Sequence, residues 1–249
     1  MRIISDNYLD SLALVPSNVD LNYPIENVQD QRLSTKFHST TTSVYITVTC
    51  PSIITEPVAV GILGHNISDG ATVEFQLSET SNFASTISEI LIWDEDIILK
   101  FIDYSSTSFE YIRFYVSDLS NTDGYISIGR LWVGSYFPII PSSLLDFKVT
   151  YNTSDTNIYG KDRQKFALQG VIWRKFQLDF PESDNGMICL LNDFIDRVGN
   201  HKSFIFCNFD ELTSYVLVKP CYVSLSEEIG FSHKKRMKFS YSLSMEEDL

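Results

Sequence analysis

The residue types able to carry chemistry are few and dispersed. His38, His65, His201 and His233 stand far apart, and none has a second His, Cys or Asp at a metal-ligand spacing such as HExxH, so each reads as a surface or turn residue. Cys50, Cys189, Cys207 and Cys221 have no CxxC spacing and three lie in the second half. They read as reduced core thiols, with a disulfide pair as the alternative. Asp94, Glu95 and Asp96 form a run of acids. Two such carboxylates held about 5 to 9 Å apart would serve glycoside hydrolysis, but a solvated turn between two strands is the expected role. The basic run HKKRMK (233–238) can contact phosphate or an acidic partner, or can close a hairpin whose lysines protect an edge strand, the reading taken here. Trp93, Trp132 and Trp173 could stack on sugar rings, yet each sits in a strand pattern and is expected to pack in a core. GxSxG, P-loop and GxGxxG motifs do not occur. The expectation is a protein that binds and assembles without catalysis, with no catalytic residue, bound metal or cofactor.

The elements that would position these residues are mostly strands. VYITVTC (44–50) alternates, with Val44, Ile46, Val48 and Cys50 on one face. PVAVGILGHN (57–66) is a nearly continuous apolar run, as expected of a strand buried on both sides. ATVEFQLS, EILIW, IILKFI, YIRFYVS and YISIGRLWVG follow at short intervals, separated by SDG, STS and NTDG. Those Gly, Asp and Asn residues tolerate the backbone angles that turns demand. Regular short strands of this kind predict a sandwich or closed barrel.

YFPIIPSSLLD (136–146) interrupts the pattern, so two domains are expected, 1–140 and 141–249. Residues 148–170 are polar and read as a mobile loop or a long β-arm. VIWRKFQLDF reads as a strand. In the next stretch Met187, Leu190, Leu191, Phe194, Ile195 and Val198 recur at helical spacing after a Ser183 or Asp184 cap, with Gly199 beyond, which predicts a helix over about 184–198. SFIFCNF, YVLVKPCYVSL and RMKFSYSLS complete a β-sandwich or split barrel carrying one helix.

With 249 residues the chain is long enough for two cores. Its net charge of −13 would repel nucleic acid and anionic membrane, so neither sequence-specific nucleic-acid binding nor membrane insertion is expected. The acid is uneven: 6 basic against 17 acidic residues in 1–140, and 13 against 15 in 141–249. Asp6 and Asp10 interrupt any apolar signal-peptide core, and no apolar run approaches the ~20 residues of a membrane span, so folding in a cytoplasm is expected.

NYPIENVQDQRLSTKFHS (22–39), GHNIS (64–68), ATVEFQLS (71–78), FEYIRFYVSD (109–118) and YISIGRLWVG (125–134), taken in order, resemble the discoidin, or coagulation-factor type C, family. The resemblance implies an eight-stranded jelly-roll sandwich whose end loops meet a sugar or lipid head group. It places a calcium ion near Asp30, Ser34 and Thr35, and makes the loops at Asp30 and Asp69 the ligand candidates. The family's usual Trp after the Thr is replaced by Phe37 two positions on. NYPIENVQDQRLST and GHNISDGATVEF further resemble domains on bacteriophage tail proteins, and WRKFQLDFPESDNGMICLLNDFIDRVGNHKSFIFCNFDE (173–211) resembles the tail-tube-like domain of tail-tip proteins. That likeness implies a distal tail or baseplate-hub subunit forming a homo-oligomeric ring around a DNA channel, joined to tail-tube and tail-tip proteins in the virion. Trp173, Phe194, Lys234, Lys235 and Arg236 are its candidate assembly residues. A carbohydrate-binding adhesin contacting a host surface glycan is the alternative. A glycoside hydrolase using Asp94 or Asp96 is the third reading.

Overall fold

The computed structural model describes residues 2–50, 58–102, 109–138, 146–159, 165–168, 170–183, 185–199, 201–207, 219–227, 231–235 and 238–248. Among these, the first half of the chain holds β1 (Arg2–Ile4), β2 (Leu14–Pro16), β3 (Phe37–His38), β4 (Ser43–Thr49), β5 (Val58–Leu63), β6 (Thr72–Ser78), β7 (Thr86–Ile90), β8 (Ile97–Ile102), β9 (Tyr111–Ser117), β10 (Ser127–Ile128), β11 (Arg130–Ser135) and β12 (Phe137–Pro138). The second half holds β13 (Asp146–Thr153), β14 (Thr156–Tyr159), β15 (Lys165–Leu168), β16 (Ile172–Ser183), helix α1 (Asn185–Val198), β17 (Phe204–Cys207), β18 (Cys221–Leu225), β19 (Phe231–Lys235) and β20 (Lys238–Glu247). The protein is mostly β, as its sequence pattern predicts.

Two antiparallel sheets make the N-terminal sandwich: five strands in the order β2-β4-β9-β6-β7 and three in the order β11-β5-β8. β4, β6 and β9 alternate buried and accessible residues, because one face meets the core and the other meets water. Val44, Ile46, Val48, Val73, Phe75, Ile112, Phe114 and Val116 interdigitate with Val58, Val60, Ile62, Leu131 and Val133 of the opposing sheet. Phe75 and Phe114 meet edge to face at 5.2 Å, a favoured aromatic geometry.

All six residues of β5 are buried. Its odd residues explain this: Ala59 and Leu63 turn away from the sandwich core and pack with Trp132 of β11 and with Ile205, Cys207 and Tyr222 from the second half. The second half is an antiparallel sheet in the order β12-β1-β17-β18-β20-β16-β13, with β19 also paired to β20. Leu191, Phe194 and Val198 of α1 are fully buried against Phe176, Leu178, Phe204 and Phe206 of that sheet. Leu190, counted in the predicted apolar stripe, is instead exposed, since the buried stripe follows 188, 191, 194 and 198. Gly199 closes the helix at φ +55, with its N–H on the Ile195 carbonyl at 2.7 Å. Pro181 sits inside β16 where the register with β20 shifts between Phe180 and Ser183, a site where its missing N–H costs no ladder bond.

The polar 148–170 stretch is built from β13, paired with β16 along its whole length, and the hairpin β14/β15. Residues 160–164 and 169 of this stretch lie outside the described ones. β1 and β12 come from before residue 140 yet hydrogen-bond within the second sheet, β1 lying between β12 and β17. The chain therefore crosses between the two halves more than once.

Candidate functional site

At one end of the sandwich the chain assembles an aromatic stack around a histidine. β3 pairs with β10, Ser127 opposite His38. The turn at 20–23 clamps onto the same residue: the Asp20 N–H donates to the His38 carbonyl at 2.9 Å, and the His38 N–H donates to the Tyr23 carbonyl at 3.2 Å. Tyr125 arrives from the other side, held by Asn66, whose side-chain amide donates to the Tyr125 carbonyl at 3.0 Å and to the Asp123 carboxylate at 2.9 Å. Asn66 Oδ1 accepts from the Ser127 N–H at 2.8 Å. Ser39 completes the anchoring by accepting the Ile126 N–H at 2.8 Å.

The result is a His38 imidazole between two phenol rings, 3.8 Å from the Tyr23 centroid and 4.6 Å from that of Tyr125. These three residues, with Asp20, Ser39, Thr40 and Gly124, line an open depression of about 430 Å³. Tyr23 is 42 % exposed. Burial holds His38 below the ordinary histidine pKa; Lys36 acts the same way, against the Asp20 and Asp123 carboxylates. At neutral pH the ring therefore offers one donor and one acceptor nitrogen. An apolar ring face beside hydroxyl, carboxylate and imidazole groups suits a small polyhydroxylated ligand.

The sequence-derived candidates lie elsewhere. Asp30 is engaged by Arg32, which donates Nη2 to it at 2.6 Å and Nε at 3.1 Å. Those hydrogen bonds pull its carboxyl down to about 2. Among the described residues no group of three or more His, Cys, Asp or Glu is placed to hold a metal. Thr35 donates its N–H to the Arg32 carbonyl at 3.0 Å. Ser34 is exposed on a crevice of about 580 Å³ between the two halves, which Trp173, Ser203, Ser226 and Glu246 also line. Asp69 is exposed at the tip of the turn before β6 and shares no described cavity with Asp30. Trp173 is half-buried and donates Nε1 to the Glu246 carboxylate. Phe194 is fully buried against Phe204, ring centroids 5.0 Å apart, so it is a core residue and not a surface contact. Lys234 and Lys235 end β19, with Lys235 opposite Lys238 of β20. Arg236 lies outside the described residues.

The acid run is not simply a solvated turn. Lys219 from the second half lies 3.1 Å from Asp94 and 3.9 Å from Asp96. Burial works upward on the Asp94 carboxyl, but hydrogen bonds from the Asp96 N–H and from Lys219 prevail and its pKa falls. His65 departs from its expected surface position. Its Nδ1 accepts the Ile67 N–H at 3.1 Å and its Nε2 lies 3.1 Å from the Asp94 carbonyl. Among the thiols, Cys207 and Cys221 are buried and Cys50 is half-buried, as expected of core residues, whereas Cys189 is exposed. All four are free, and burial pushes Cys50 up to about 11 and Cys221 up to about 12.

Tyr23, His38 and Tyr125 were not read from the sequence as a site. They lie on three segments up to a hundred positions apart, and only the Asn in GHN, which latches Tyr125, carried a local signal.

No family model and no curated protein matches the chain in sequence. Solved structures are similar to it in fold. The CpGH89CBM32-5 module of Clostridium perfringens, in complex with GalNAc-β-1,3-galactose, is 15% identical with a TM-score of 0.40, over 52% of this chain and 100% of that one. The family 32 carbohydrate-binding module of C. perfringens NanJ, in complex with galactose, is 14% identical with a TM-score of 0.38, over 55% and 100%. A Streptococcus pneumoniae fucose-binding module is 14% identical with a TM-score of 0.39, over 52% and 95%.

Proposed function

We propose that the protein is a glycan-binding, non-catalytic protein whose N-terminal sandwich takes a sugar in the depression at Tyr23, His38 and Tyr125. The observation that carries this is the stack itself: two tyrosine rings fixed about a histidine whose ring nitrogens have no hydrogen-bond partner among the described residues, beside Asp20 and Thr40. A sugar's C–H face lies on a tyrosine, and its hydroxyls exchange hydrogen bonds with imidazole and carboxylate.

A glycan array followed by calorimetry with galactose, N-acetylgalactosamine and fucose tests it. Tyr23→Ala and His38→Ala are expected to weaken the bound sugar about tenfold each, the equivalent of ~1.4 kcal/mol, while Asp69→Ala leaves affinity unchanged. Binding that survives both substitutions, or the lack of any glycan ligand, would refute this site.

A second reading, a tail-tip subunit that assembles as a ring in the host cytoplasm, has one supporting observation. Tyr151 and Ile172 are large and exposed on one face of the paired strands β13 and β16, a surface that a neighbouring subunit would cover. Light scattering and negative-stain microscopy of the purified chain decide it: closed rings lost with Tyr151→Asp support it, and a monomer at high concentration refutes it.

A further inference from the structure

The outward face of the five-stranded sheet is organised in a way that neither the loop-end site nor the second half explains. Alternation in β4, β9 and β6 turns Tyr45, Thr47, Arg113, Tyr115, Glu74 and Gln76 outward. The register sets Tyr45 opposite Tyr115 and Tyr115 opposite Glu74; in the next row Thr47 is opposite Arg113 and Arg113 opposite Gln76. The two tyrosine centroids are 6.4 Å apart, and Tyr45 is 45 % exposed.

Arg113 binds this face together. Its guanidinium lies 5.3 Å from the Tyr45 centroid and 4.0 Å from that of Phe83. Its Nε donates to Gln76 Oε1 at 2.6 Å, and Gln76 Nε2 donates to Glu74 Oε2 at 2.6 Å. Phe83 reaches the guanidinium from the β6–β7 loop through a left-handed backbone, φ 53, the one such non-glycine residue among those described. The loop is fixed there by Asn82, whose Oδ1 accepts from the Ala84 N–H at 3.0 Å and from the Thr80 hydroxyl at 2.8 Å. Three aromatic rings thus lie around a hydrogen-bonded row of guanidinium, amide and carboxylate.

We propose that this face is a second glycan surface, which takes a neutral linear polysaccharide laid across β4, β9 and β6. Sugar rings stack on Tyr45, Tyr115 and Phe83, and vicinal hydroxyls bridge the guanidinium, amide and carboxylate groups. Charge favours a neutral polymer, since a chain of net charge −13 repels a polyanion. The polar, charged centre disfavours a protein partner, because interface cores are depleted in charge. The surface is distinct from the depression at His38 and does not depend on it.

Affinity electrophoresis of the full chain through gels containing barley β-glucan, glucomannan or linear arabinan tests the proposal, with polygalacturonate as the charged control. At least one neutral polymer should retard the protein, and polygalacturonate should not. Tyr45→Ala and Tyr115→Ala should each reduce the retardation at least threefold, Tyr45→Phe should preserve it, and Tyr23→Ala should leave it intact. Circular dichroism confirms that each variant is folded. The proposal is overturned if no neutral polymer retards the chain, if Tyr45→Ala and Tyr115→Ala retain full retardation, or if Tyr23→Ala alone abolishes it, which would assign the effect to the loop-end site. Dimer dissociation caused by Tyr45→Ala would assign the face to a protein contact and equally overturn it.

Discussion

His65 shows how a residue becomes committed to one protonation state. Because Nδ1 accepts the Ile67 N–H, the ring proton sits on Nε2, where it can donate to the Asp94 carbonyl. Burial opposes the charge and outweighs the Asp94 carbonyl, so the folded pKa lies below the ordinary 6.5; a second proton at Nδ1 would also face the Ile67 N–H. The unfolded chain takes up a proton as pH falls through 6.5 while the folded chain does not. This contribution to stability is therefore present above pH 6.5 and is lost as pH falls towards the folded pKa. Thermal unfolding at pH 7.5 and 5.5 should show a larger fall in Tm for the wild type than for His65→Gln. His38 shifts in the same direction, so only the difference between the two proteins reports on His65; equal falls would count against the assignment. Arg130 is the other committed residue. It is 2 % exposed, with Nη2 on the Asp10 carboxylate at 2.7 Å and Nη1 on the Gln29 carbonyl at 2.9 Å.

Among elements, the alternating strands were legible because each has one wet face. β1 was not, although Ile3 and Ile4 are apolar: its partners in the sheet are residues 137–138 and 205–207, and three residues are too few to show a period. Its path depends on Gly134. A Cβ there would lie 1.6 Å from the Asp6 carbonyl oxygen, so the N-terminal segment crosses β11 in direct backbone contact. Asn7 secures the crossing, accepting the Val133 N–H at 3.1 Å and donating to the Leu131 carbonyl at 2.9 Å. Gly134→Ala must displace this segment, at a cost near the upper end of overpacking, about 3 kcal/mol. The expected readout is a lower urea midpoint with faster amide exchange at Ile3 and Ile4. Unchanged exchange at those two amides would show that β1 does not depend on the crossing.

For the molecule as a whole, the seam between the halves is held chiefly by apolar packing. Ile4, Ala59, Leu63, Ile97, Trp132, Ile205, Cys207 and Tyr222 form one buried cluster drawn from both halves, and Tyr222 also donates its hydroxyl to the Gln31 carbonyl at 3.0 Å. The ion pairs across the seam are more exposed: Lys219 is 49 % accessible beside Asp94, and Arg197 meets Asp6 at 2.6 Å on the surface. Lys219→Met should therefore cost under ~1 kcal/mol, whereas Tyr222→Ala should cost about 3 to 5 kcal/mol. Urea unfolding of both variants checks the ordering, and the reverse order would make the seam electrostatic.

The sequence by itself determined the mostly β class, the strands of the sandwich and the single helix, because periodicity, turn residues and capping act over a few neighbouring positions. It also indicated that β5 is buried on both faces, but not by what. Only the tertiary structure decided that the covering layer is the second half, that Lys219 answers Asp94, and that Tyr23, His38 and Tyr125 meet. Those contacts join segments tens to hundreds of residues apart, and no local pattern encodes which distant side chain will arrive.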